Sequence, residues 1–83
     1  MRQSEVNGMI KKLDRNLNVL LKKVKTAETK GLLYYHDTFF SGYCSALEDT
    51  GHITECELKN LSTKALCAYI EGREAIMQRG AWA

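Results

Sequence analysis

Proline is absent from the 83 residues, aromatic residues make up only 8% of them, and no stretch approaches the roughly 20 consecutive apolar residues that a membrane-spanning helix needs. The missing apolar run excludes a transmembrane anchor, and the opening MRQSEVNGMIKK lacks both the apolar core and the small-residue cleavage site of a secretory signal. A cytoplasmic location is the expectation. Cysteine is scarce and odd in number: Cys44, Cys56 and Cys67 follow no tight spacing, so they read as reduced, buried and inert thiols and not as a disulfide framework. With His52 they also lack the paired halves of a structural zinc site. No Gly-rich phosphate loop, G-x-S-x-G elbow or paired-carboxylate cleft is present. His36 and Asp37 are adjacent, and adjacent helical residues point about 100° apart, so neither orients the other for catalysis. The chain is therefore expected to be no enzyme, with no cofactor and no metal.

What is present supports folding. Apolar residues form 45% of the chain and charged residues 27%, with a net charge of only +2, a balance that argues against intrinsic disorder. A chain this short buries only about 60% of the surface it exposes when unfolded, so every apolar face has to be used. One helical domain spanning residues 1–83 is expected.

The strongest pattern lies in the first segment, where Val6, Ile10, Leu13, Leu17, Leu20, Val24 and Ala27 recur with alternating spacings of four and three, a heptad seam. Met9 and Leu21 widen that stripe, as a helix facing two neighbours requires, and Ser4 is the expected N-cap. With no proline to break helices, glycine punctuates the chain, at Gly31, Gly51 and Gly80. A second helix is expected from about Leu32 to Thr50. One of its faces carries Leu32, Tyr35, Phe39, Tyr43, Ala46 and Leu47, with Leu33, His36, Phe40 and Cys44 alongside. LLYYHDTFF is aromatic enough for a strand, but a lone strand would lack a partner. The third helix announces itself by a T-x-x-E capping box, Thr54 and Glu57, with Ile53 and Leu58 placed for a hydrophobic staple. Its apolar face holds Leu58, Leu61, Ala65, Ala68, Tyr69, Gly72 and Ile76, extended by Leu66, Ile70 and Met77. Gly72 in mid-helix points to a close approach, with Gly42 and Ala46 as its expected counterparts. The expected fold class is all-α, a small three-helix bundle with a long heptad-patterned first helix and dimerisation as one way to complete it.

The stretch LEDTGHITECELKNL resembles the helix, glycine turn and I-T-x-x-E helix entry of short bacterial SHOCT-type helical modules. The resemblance covers fifteen of the 83 residues and carries no function.

Charge is uneven: residues 1–30 hold eight Lys or Arg against three acids, residues 31–83 four against seven. In the heptad frame Lys11, Lys12, Arg15, Lys22 and Lys25 fall opposite the seam, a stripe that would fit phosphate backbone or an acidic protein surface. A recognition role for the third helix conflicts with Glu55 and Glu57 in its first turn, which repel phosphate. Basic residues lie in the first helix and aromatics in the second, so no strand interleaves them as RNA-binding sheets do. The basic and apolar faces of helix 1 also raise a membrane-surface role, against which stand its regular heptads and its lack of aromatics. Tyr34, Tyr35, Phe39, Phe40 and Tyr43 are more aromatic surface than one small bundle hides, and clusters of this kind are enriched at binding hot spots. The leading expectation is a small protein–protein interaction module, a regulator, adaptor or inhibitor of the kind mobile elements encode, with a protein partner or a second copy on those five residues. The alternative is a nucleic-acid-associated protein using the basic stripe.

Overall fold

The heptad spacing of the first segment becomes α1 (Gln3–Lys25), followed by α2 (Lys30–Asp49) and α3 (Glu55–Gln78). This is a computed structural model, which describes residues 3–82 and their side chains from residue 13 onward. The side chains of Val6, Met9, Ile10, Lys11 and Lys12 thus lie outside the described set. All three helices pack against one another, and no strand occurs among the described residues.

Ser4 lies inside α1 and not at its cap. In its described part Leu17, Leu21 and Val24 are buried, with Leu13 and Leu20 partly so. The buried line therefore leans from the strict seam toward Leu21, the position that lets α1 face two neighbours at once. Its last turn carries Lys22, Lys23 and Lys25, cations that offset the negative end of the helix dipole.

Helix α2 begins two residues before the expected Leu32. Thr29 is its N-cap and accepts a 3.1 Å hydrogen bond from the Leu32 N–H, which leaves Gly31 inside the first turn and removes it from the punctuating glycines. The other two glycines do end helices. Gly51 (φ 78°) and Gly80 (φ 71°) take the left-handed conformation that follows a helix. Beyond them the N–H groups of His52 and Ala81 return to the carbonyls of Leu47 and Ile76, closing two Schellman motifs. The capping box of α3 is present in both directions, Glu57 N–H to Thr54 Oγ1 at 3.1 Å and Thr54 N–H to Glu57 Oε1 at 3.0 Å. Ile53 before it is buried and Leu58 after it partly buried.

The core is built from Leu17, Leu21, Val24, Ala27, Leu33, Phe40, Cys44, Ala65, Ala68 and Ile76. On α2 the buried residues are thus the flanking set, Leu33, Phe40 and Cys44, while Leu32, Tyr35, Phe39 and Ala46 face out. Gly72 is the close contact between α3 and α1: a Cβ there would lie 2.6 Å from the Val24 carbonyl oxygen and 3.0 Å from Leu33 Cδ1. Its counterparts are Val24 and Leu33, not Gly42 and Ala46, both of which are exposed. Since Gly72 in the later part of α3 meets the end of α1, α1 and α3 run parallel and α2 returns between them. That end is closed by Arg79 Nη2, which donates 2.9 Å to the Glu28 carbonyl, and by Lys30 Nζ, 5.0 Å from the centre of the Trp82 ring. The molecule measures 51 × 21 × 16 Å, longer than the roughly 36 Å of its longest helix, so the helices are staggered along the bundle axis.

Candidate partner-binding surface

Helical spacing sorts the aromatic residues of α2 into three places. Phe40 is 1% exposed and belongs to the core, seven residues after Leu33 and four before Cys44, so it is not available to a partner in this fold. Tyr34 opens on the α2–α3 side and pairs with Tyr69, ring centres 6.1 Å apart. Tyr35, Phe39 and Tyr43 follow at four-residue steps on the α1 side. Their rings form a ladder with successive centres 6.4 Å apart and planes within 27° and 15° of parallel. Tyr35 is 62% exposed, Phe39 49%, and Tyr43 is half-buried.

Phe39 and Tyr43 share a cleft of about 240 Å³ with Arg15, Asn16, Val19 and Leu20 of α1. Val19, half-exposed, is the apolar centre of the α1 bank. Its helical neighbours at i−4, i+3 and i+4 are Arg15, Lys22 and Lys23, all exposed and none in an ion pair with a described residue. Basic and aromatic residues, on separate helices in the sequence, are thus brought to one groove by the packing of α1 on α2. Lys25 is also exposed but sits a residue past Val24, toward the α3 side. Spacing alone places Lys23 beside Val19, yet it falls at a heptad position next to the seam and was missing from the expected basic set.

The α2–α3 side differs in chemistry. Tyr34, Asp37, Ser41, Ser45, Ser62 and Tyr69 ring a groove of about 450 Å³ whose floor includes Phe40, Cys44 and Ala65. Burial raises the Asp37 carboxyl above its ordinary value, and the neighbouring Tyr34 phenol, with burial adding to it, raises the Tyr69 phenol. Leu66 lines it from α3 and is exposed, and Ile70 and Met77 also stand exposed on that helix.

The thiols divide in a way the sequence reading missed. Cys44 is buried, and burial pushes its thiol pKa up, away from reactive thiolate. Cys56 and Cys67 are exposed, because both lie on the outer face of α3, eleven residues and three turns apart. No three of the described His, Cys, Asp and Glu residues gather as metal ligands, and none of the helices, among the described residues, is long and apolar enough to cross a membrane.

No family model, no curated protein and no solved structure matches this chain.

Proposed function

We propose that the chain is a small, non-enzymatic, cytoplasmic protein–protein interaction module, a regulator, adaptor or inhibitor of the kind mobile elements encode, which docks its partner on the α1–α2 face. The observation that carries this reading is the ladder Tyr35–Phe39–Tyr43 standing beside Val19. Aromatic side chains bury about 150–250 Å² each, so the half-exposed rings with Val19 and Leu32 amount to an apolar patch on the order of 400 Å². That is the size at which a patch on a monomer is often functional, roughly 300–600 Å². Rigid rings also lose little conformational entropy when they are covered, which favours them as anchors.

Capture from host lysate with the tagged chain, treated with nuclease and washed at moderate salt, tests the reading against a Tyr35→Ser/Phe39→Ser variant. A stoichiometric protein held by the native chain and lost by the variant supports it. Equal recovery by both, or recovery of nucleic acid that disappears with nuclease, overturns it.

A further inference from the structure

The α1–α2 groove has a sign as well as an apolar floor. Arg15 lines the groove and Lys22 and Lys23 are the exposed helical neighbours of Val19, with Asp14 the acid of α1 that shares a second recess with Arg15, Val19 and Lys22, while α2 has no acidic residue in its first turn and directs Asp37 into the opposite groove. From Leu32 to Ala46 the α1-facing edge of α2 carries no acid. We infer that the occupant of this groove is an amphipathic helix of another protein whose apolar stripe is bordered by Asp or Glu, an inference that rests on the docking face proposed above. Three observations favour it.

Shape comes first. The rings repeat every 6.4 Å along α2, close to the spacing of about 5–6 Å between side chains three or four apart on a helix. Leu-sized side chains at i, i+3 or i+4, and i+7 would therefore seat in successive notches of the ladder and against Val19, the helix-in-groove mode of recognition. Charge comes second. Carboxylates bordering the incoming stripe would meet the three cations on the α1 bank, steering encounter and disfavouring partners of like sign. Area comes third. A patch on the order of 400 Å² is about half of the roughly 800 Å² per partner of a standard interface, an apolar centre of the size that one helix of five or six turns can cover.

The same geometry disfavours the other two occupants. A nucleobase sandwiched between neighbouring rings needs two stacking intervals of about 3.4 Å each, more than the 6.4 Å between ring centres allows. A second copy related by a twofold axis would bring Arg15, Lys22 and Lys23 of both chains to one interface, like charge against like.

The test uses helical probe peptides of roughly 20 residues with one leucine stripe and three kinds of border: Glu, Gln or Lys. A labelled oligothymidylate serves as the nucleic-acid probe, and sedimentation at rising protein concentration reports self-association. The Glu-bordered peptide is expected to bind at least about tenfold more tightly than the Lys-bordered one. Arg15→Glu/Lys22→Glu/Lys23→Glu should invert that order, and Phe39→Ser should weaken binding of the Glu-bordered peptide at least about tenfold, the fold of each variant being checked by its helical signal and melting. No saturable binding of the Glu-bordered peptide, equal affinity for all borders, tighter binding of the oligothymidylate, or a dimer that Phe39→Ser dissolves would each overturn the inference. Insensitivity to border charge together with loss on Phe39→Ser would leave the docking face of the preceding section standing; its failure shows separately, as lysate capture indifferent to Phe39.

Discussion

Replacing Gly72 with alanine puts two effects of known size in opposition at one position. In a helix interior alanine is favoured over glycine by about 1 kcal/mol, so on propensity alone the substitution stabilises. The added Cβ, however, would stand 2.6 Å from the Val24 carbonyl oxygen, a backbone atom that cannot rotate aside, and 3.0 Å from Leu33 Cδ1. To regain an ordinary 3.4 Å contact, α3 and α1 must part by about 0.8 Å. A gap of that size forfeits roughly a quarter to a half of each contact's dispersion energy, and the side chains on either side, Val24, Leu33 and Ile76, are with Phe40 the largest fully buried ones among the described residues. Overpacking of this kind costs about 1–3 kcal/mol, and rigid backbone in the way puts the site at the upper end. The net expectation is a destabilisation of about 1–2 kcal/mol, a large share of the about 4–12 kcal/mol available to a chain of this length. At about 4–8 °C per kcal/mol, melting should fall by roughly 5–15 °C. Gly42→Ala supplies the control: Gly42 is an exposed glycine inside α2 with nothing within 4 Å of its Cβ position, so melting should rise. Circular dichroism at 222 nm, with urea unfolding of both variants, reads the two signs. A Gly72→Ala chain as stable as Gly42→Ala would refute the close packing of α3 on α1.

Three further outcomes follow from placement. Phe40→Ala should cost about 3–5 kcal/mol and Phe39→Ala less than about 1 kcal/mol, although the rings are neighbours in sequence, and urea midpoints for the pair would separate them. With a thiol reagent such as DTNB, Cys56 and Cys67 should react at once and Cys44 only on unfolding; Cys44→Ser should leave the fast amplitude unchanged. The Asp37 carboxyl has a folded-state pKa above its unfolded value, so its contribution favours folding at low pH and is lost as pH rises through the folded pKa. Asp37→Asn should therefore gain stability over the native chain at neutral pH and lose that gain well below the ordinary carboxylate value of about 3.9, as melting at the two pH values would show.

Local chemistry was legible wherever one residue decides it. Thr54 with Glu57 defines an N-terminus because two side chains satisfy two orphan N–H groups, and Gly51 and Gly80 define ends because few other residues take the left-handed conformation. Gly31 misled because a glycine is an equally good reason to stop and a tolerable member of a first turn; the Thr29 hydroxyl two residues earlier decides the matter. On α2 the difficulty was different. Apolar residues surround most of its circumference, so periodicity offers two candidate faces about 100° apart and cannot choose between them. The choice is made by the partners: small Ala65 and Ala68 on α3 and the Leu17–Val24 line on α1 leave room for Leu33, Phe40 and Cys44. The joint groove of basic α1 and aromatic α2 was hidden for the same reason, since it exists only once the two helices are packed.

The ladder on α2 is not explained by the stability of the bundle. Replacing half-exposed side chains such as Tyr35 and Phe39 with polar ones usually changes folding free energy by no more than about 0.5 kcal/mol, while leaving them in place exposes a patch prone to self-association. Phe40, Leu33 and Cys44 already fill the interior from this helix and Tyr43 packs partly against it, whereas Tyr35 and Phe39 give the bundle nothing further to bury. A chain with so little stability to spare thus holds large apolar groups where its own fold has no use for them, next to cations left without ion pairs among the described residues. The docking proposal makes both features parts of one surface. It requires that a Tyr35→Ser/Phe39→Ser chain keep its melting temperature within a few degrees while losing its partner; a chain that unfolds instead would return the ladder to the fold and leave the surface without a role.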